Sequence, residues 1–217
     1  NLDRTDTGVT GNINANGTNQ RIGFVYDTIY DQGYISNVRV IKGSAQYTAS
    51  FTPPTTPLTA VTNTVLLTCQ SNRFIDNSSN AFAITAGGSP SVQPFSPFNP
   101  TTAYSTSTVG GSGYFDGSGD YLRIASSQTA LQFGTGDFTI EGWVFSTNGT
   151  GTYQHILTGG TSWTSGSGGV YWYYNSGSPY IGAAWNQVAT NPAVNSGTLS
   201  TNVWHHFAIV RNGNTLT

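Results

Sequence analysis

Seven large aromatic residues, Trp163, Tyr171, Trp172, Tyr173, Tyr174, Tyr180 and Trp185, stand close together among glycine, serine and asparagine. That mixture suits sugar rings. Aromatic planes stack on the C–H faces of a sugar while amides and hydroxyls meet its polar edge. Strand alternation divides the set, because Tyr171 and Tyr173 face one way and Trp172 and Tyr174 the other, so one part is core and one face is left for binding.

The acidic turn Asp116-Gly117-Ser118-Gly119-Asp120 offers a second chemistry. Two carboxylates and carbonyls exposed at glycines could hold Ca²⁺, which accepts irregular oxygen sets but needs six to eight of them. The competing reading is an Asx turn, each aspartate capping backbone N–H groups. Asp3, Asp6, Asp27 and Asp31 read as turn formers and solubilising groups.

Three catalytic patterns are weak on the same residues. Glycoside hydrolysis needs two carboxylates flanking the scissile bond, and the chain has one glutamate, Glu141, with Asp137 as its one carboxylate neighbour within four residues. Glu141 reads instead as a strand residue facing solvent or pairing with an arginine. His205 and His206 are adjacent, so on a strand they point to opposite faces and do not share an ion; His155 is the third and last histidine. Gly117-Ser118-Gly119 lies in a short turn between strands rather than in a strand-to-helix nucleophile elbow. No enzymatic activity is expected, and no cofactor beyond the calcium the acidic turn could take.

Short strands must position these groups. Charged residues make up 7% of the chain and aromatics 13%, with 27 glycines and no long amphipathic Leu/Ala/Glu/Lys stretch, so the expected class is all-β. Strand candidates are 21–26, 33–41, 65–69, 81–85, 114–115, 121–124, 138–145, 155–157, 170–174, 180–185 and 204–210. Residues 51–57, with three prolines, must leave the sheet. The Pro/Phe alternation of 94–100 gives a stiff extended connector whose rings can dock on a neighbouring surface. A net charge of −2 with seven scattered basic residues argues against nucleic acid, and no apolar run approaches the ~20 residues of a membrane helix. Cys69, alone, reads as a small buried hydrophobe.

The stretch Val203–Thr217 starts a β-hairpin through Asn212-Gly213-Asn214 and carries only three residues of its return strand. Unpartnered ladder groups are costly, so another strand is expected to complete that sheet. With Asn1 at the front and no methionine, the 217 residues read as a window on a repeating or processed polypeptide.

Tyr114-Phe115-Asp116-Gly117-Ser118-Gly119-Asp120-Tyr121-Leu122, then Gly136-Asp137-Phe138-Thr139-Ile140-Glu141-Gly142-Trp143-Val144, then Trp204 to Gly213, in this order, resemble the first half of a laminin-G-like, concanavalin A-type jelly-roll domain. The resemblance implies an antiparallel β-sandwich whose later strand has the form Gly-Tyr-Ile-Ser-Asn-Val-Arg-Val. That strand is at residues 33–40, and Asn1 to Val9 is similar to the strand that should follow Thr217, so the halves stand in permuted or tandem-repeat order. The resemblance divides the chain into 1–58, a C-terminal half; 59–111, a connector with short strands and a Pro/Phe-rich linker; and 112–217, an N-terminal half. The joining segment is similar to sequences between such domains in tail and virion proteins of marine bacteriophages. It implies a non-enzymatic structural protein of a virion or extracellular fibre, joined to itself or to a neighbouring repeat by strand addition as a homo-oligomer, with a host surface glycan as partner. The alternative is a glycan-binding adhesion module within a longer bacterial tandem-repeat surface protein. Some members of this family bind calcium near loops, which bears on Asp116 and Asp120.

Overall fold

The computed structural model describes residues 5–9, 19–24, 30–98, 111–125, 128–147, 153–159, 168–175, 178–185 and 194–217. Fifteen strands lie among these: β1 Asp6–Thr7, β2 Gln20–Ile22, β3 Gln32–Lys42, β4 Thr64–Thr68, β5 Ile84–Gly87, β6 Ser91–Gln93, β7 Ser112–Asp116, β8 Tyr121–Ile124, β9 Phe138–Ser146, β10 Tyr153–Gly159, β11 Gly168–Asn175, β12 Ser178–Trp185, β13 Val194–Asn195, β14 His205–Asn212 and β15 Thr215–Leu216. One 3₁₀ turn, Thr129–Leu131, accompanies them. The expected all-β class is what the chain adopts.

Two antiparallel sheets form a sandwich. The first runs β1-β15-β14-β9-β3-β7-β6, and the second runs β13-β12-β11-β10-β2-β8-β5. β3 is long enough to take two partners along one edge: Gln32 to Ile35 pair with β7, and Val38 to Ile41 with β4. Alternation then builds the core. On β9, Phe138, Ile140 and Val144 point inward to meet Ile35, Val38 and Val40 of β3, while Ile22, Leu122, Ile124, Ile156 and Ile181 face them from the second sheet. Each such side chain, fully buried, contributes about 1.5–3 kcal/mol. Gly142 interrupts the inward row for a reason: a Cβ there would stand 3.0 Å from the Phe207 ring that lies across it from β14.

Three features depart from the sequence expectations. The alternation of β3 is broken by a bulge between Ser36 and Arg39, where Asn37 takes φ 55; its amide nitrogen donates to Ser36 Oγ and its carbonyl oxygen accepts from Leu58 N–H, holding the bulge to a covering loop. The strand expected from Ala81 begins at Ile84, because Ala81 is at φ 47 and Phe82 N–H is taken by Asp76 Oδ2. Ser91–Gln93, not expected as a strand, pairs with β7. Its signal was hidden by Pro90 and Pro94 on either side.

The terminal hairpin closes through Gly213 at φ 61, and its short return strand has a neighbour in this same chain. Asp6 stands opposite Leu216 and Thr7 opposite Thr215, while Val9 N–H donates to the Asn214 carbonyl at 2.9 Å. Buried Arg211 clasps the junction. Its guanidinium donates to the carbonyls of Val9 at 2.7 Å, Gly134 at 3.0 Å and Gly213 at 2.9 Å. Strands of residues 6–42 thus interleave with those of 112–217 in both sheets. Cys69 is buried, as its sequence context implies, and burial pushes its thiol up to about 12.

Candidate functional site

The outward face of the first sheet carries the chemistry. Along β9 the residues alternating with the core row are Thr139, Glu141, Trp143 and Phe145; β3 adds Tyr34 and Arg39, and β14 adds His206. A sheet face of this kind is ordinarily wet. Here the Pro-rich loop that follows β3, expected to leave the sheet, folds back over one half of the face and buries Glu141 completely.

Glu141 is therefore the hub of a covered polar cluster. Its Oε1 accepts from Arg39 Nε at 2.8 Å and Nη2 at 2.6 Å, and its Oε2 accepts from Tyr47 Oη at 2.8 Å. His206 Nε2 stands 3.4 Å from Oε2, an ion-pair separation longer than a good hydrogen bond. Arg39 spends a further N–H on the Thr59 carbonyl at 2.7 Å. Burial alone would push the Glu141 carboxyl up, but His206, Arg39 and Tyr47 together outweigh it and hold the group below its ordinary value. Tyr47 moves the other way, to about 12, through burial and the adjacent carboxylate. Phe51 stacks on Tyr47 at 3.8 Å between centroids and turns its edge to His206 at 5.6 Å. Of the two sequence readings of Glu141, pairing with an arginine is the one realised; solvent exposure is not. Both carboxylate oxygens are taken up by neighbours, an arrangement that fixes a loop rather than one that moves protons.

The other half of the face is an aromatic surface. Tyr34 is at its centre, with Tyr114 at 5.0 Å, Phe145 at 5.8 Å and Trp204 at 6.4 Å between ring centroids. The connector Pro94–Phe98 crosses this surface: Phe95 lies 4.8 Å from Tyr34, 4.9 Å from Phe145 and 5.2 Å from Trp204, and Phe98 lies 5.6 Å from Trp143. The docking of its rings expected from the sequence thus takes place on the chain's own sheet. Gly111 permits it, because any side chain there would run into the backbone of Gln93 and Pro94. The Nε1–H groups of Trp143 and Trp204 are buried with no hydrogen-bond partner among the described residues. A buried donor left in this way costs about 1–3 kcal/mol. Sequence reasoning passed over this surface because its rings come from five separate segments. The one signal was the aromatic spacing Trp143, Phe145 on β9 and Tyr34 on β3.

The residues singled out from the sequence fall elsewhere. Tyr171, Trp172, Tyr173 and Tyr174 are on β11 of the second sheet, opposite Gly182, Ile181, Tyr180 and Pro179 of β12; Trp185 is opposite Gly168. Trp163 lies outside the described residues, as do Asp3 and Asp27. In the acidic turn, Asp120 is buried and accepts from the N–H groups of Ser89 and Asp116, while Asp116 accepts from Ser118 N–H at 2.7 Å. That is the Asx-turn arrangement. Among the described residues no group of three or more His, Cys, Asp or Glu side chains is placed to hold a metal ion. His205 and His206 diverge as expected, His205 Nε2 meeting the Ser200 carbonyl at 2.8 Å. Asp31 corrects its reading as a solubilising turn residue: it is fully buried, neither carboxylate oxygen has a hydrogen-bond partner among the described residues, and burial pushes it up to about 7.

Residues 116–217 match the family model described as the Concanavalin A-like lectin/glucanases superfamily. No curated protein and no solved structure matches the chain. The matched stretch supplies β8 to β15, and the earlier residues add β1, β3, β4, β6 and β7 to the first sheet and β2 and β5 to the second. No helix among the described residues is long and apolar enough to cross a membrane.

Proposed function

We propose that this chain is a non-enzymatic carbohydrate-binding β-sandwich unit of a virion or extracellular fibre, whose sugar-facing surface is the aromatic half of the first sheet. The observation that carries the reading is the cluster of Tyr34, Tyr114, Phe145 and Trp204, half-buried on an outward sheet face with Phe95, 40% exposed, at its top. Adjacent rings that keep part of their surface in water are the arrangement sugar C–H faces stack upon. The match of 116–217 to a superfamily that spans lectins and glucanases supports the substrate class. In support of binding without catalysis, the one glutamate is sealed against Arg39, Tyr47 and His206. Titrating the protein with neutral hexose oligosaccharides while following tryptophan fluorescence tests the reading. Trp204→Ala should abolish the response, and loss of it in Trp172→Ala alone would move the site to β11 on the second sheet.

The fibre part of the reading is supported by the seam between β1 and β15. Two residue pairs, the Val9–Asn214 bond and the Arg211 clasp make a slot for one short strand, filled here from within the chain. The same slot accepts the equivalent strand of another copy or of a neighbouring repeat, and β-addition of that kind builds filaments. Light scattering across a thousandfold range of concentration separates the cases: growing assemblies support exchange, and a monomer throughout counts against it. The same unit within a longer bacterial adhesin would bind carbohydrate without that growth.

A further inference from the structure

The segment Pro94–Phe98 leaves the edge strand β6 and crosses the outward face of the first sheet as a strap. Among the described residues it forms no backbone ladder with that sheet. Rings and one hydroxyl hold it: Phe95 against Tyr34, Phe145 and Trp204, Phe98 against Trp143, and Ser112 Oγ donating to the Phe95 carbonyl at 2.7 Å. A segment held in this way opens far more readily than a strand. Its proline content keeps it extended whether or not it is docked.

Beneath the strap the polar accounting is incomplete. The indole N–H groups of Trp143 and Trp204 are shut away from water, yet no acceptor among the described residues meets either of them. Each indole touches a strap ring, at 5.6 Å for Phe98 and 5.2 Å for Phe95. Phenylalanine gives the indoles ring contact but no oxygen. A sugar gives both, a C–H face for the ring and hydroxyl oxygens for the N–H.

We propose that Pro94–Phe98 is a displaceable cover over a carbohydrate subsite floored by Tyr34, Phe145 and Trp204, the Phe95 ring standing where a sugar ring sits once the strap lifts. The proposal rests on the carbohydrate reading of this surface and adds a closed state to it. In the closed state the strap satisfies the apolar floor and leaves the two indole donors without an acceptor among the described residues; bound sugar satisfies both. The affinity of the free chain is then lowered by the fraction of time the strap is closed.

Phe95→Ala with Phe98→Ala tests this by two readouts. Hydrogen exchange of the indole protons, followed by NMR with ¹⁵N-tryptophan, should be slow for Trp143 and Trp204 in the unaltered chain and at least about tenfold faster in the double variant. Affinity for whichever neutral hexose oligosaccharide the unaltered chain holds should rise about tenfold. Ser112→Ala, which loosens the strap without touching its rings, should move both readouts part of the way and covers the case where the double variant fails to fold. Unchanged exchange in the variants overturns the cover. Oligosaccharide binding that is unchanged or weaker in the double variant makes Phe95 part of the platform, overturning the cover while the carbohydrate reading stands. No binding by any of the three proteins overturns both.

Discussion

Arg39 of β3 and Glu141 of β9, 102 residues apart in sequence, meet with 2.6 Å between Nη2 and Oε1 on a sheet face that a loop has sealed from water. Removing one partner from such a pair leaves the other charge buried, which costs about 3–5 kcal/mol, whereas the pair itself adds little. Glu141→Gln is therefore expected to lower the melting temperature by roughly 10 °C for a chain of this size. Arg39→Met with Glu141→Leu should recover most of that loss. Thermal unfolding followed by circular dichroism measures both.

The Asp31 carboxylate, buried with no hydrogen-bond partner among the described residues, works against the fold at neutral pH. Well below its ordinary value of 3.8, near pH 3 and lower, the folded and unfolded chains both hold its proton. Between there and about 7 the unfolded chain releases the proton while the folded chain keeps it, so stability falls as pH rises and the loss is complete above about 7. Asp31→Asn should come closest to the parent near pH 3 and exceed it at pH 8 by about 2–4 kcal/mol, read from urea unfolding at the two pH values.

His155 gives the opposite slope. Burial pulls its imidazole down to about 3 in the folded chain, so the stability it contributes is present above the ordinary value of 6.5 and is lost progressively as pH falls toward 3. His155→Gln should flatten the acid limb of the stability curve, measured by unfolding between pH 3 and 7, and leave the pH 8 behaviour of Asp31 unchanged.

Much of the frame was legible. β9, β14 and the turn at Gly213 announce themselves by alternation and by Asn-Gly chemistry; Asn1 to Val9 reads as the strand that should follow Thr217, and in the fold its β1 pairs antiparallel with β15. Short-range pattern was no guide to what covers the sheets. Nothing local to Glu141 says that a loop about ninety residues earlier will bring Tyr47 onto its Oε2, and nothing local to Trp204 says that Phe95 will lie on it. Asp31 was misread for the same reason: an aspartate before a strand usually ends in water, and only the tertiary packing buries this one.

Gly142 is a position where the packing dictates the residue. A methyl group there would stand 3.0 Å from Phe207 Cζ and 3.1 Å from Cε1, so the ring must shift within a filled core. Gly142→Ala is expected to destabilise by about 1–3 kcal/mol, and adding Phe207→Leu should relieve part of the strain. Urea midpoints of the single and double variants decide it.

Tyr34 is the centre of the surface to which carbohydrate binding is assigned, touching Tyr114, Phe145, Phe95 and Trp204. Calorimetric titration of the parent and of Tyr34→Ala with a series of neutral oligosaccharides of increasing length tests that assignment most directly. Affinity that grows with chain length in the parent and falls at least about tenfold in the variant, with the β circular-dichroism spectrum retained at the titration temperature, is the result predicted from one to two stacking contacts. No heat of binding from any oligosaccharide, or equal affinity in the two proteins, would contradict it.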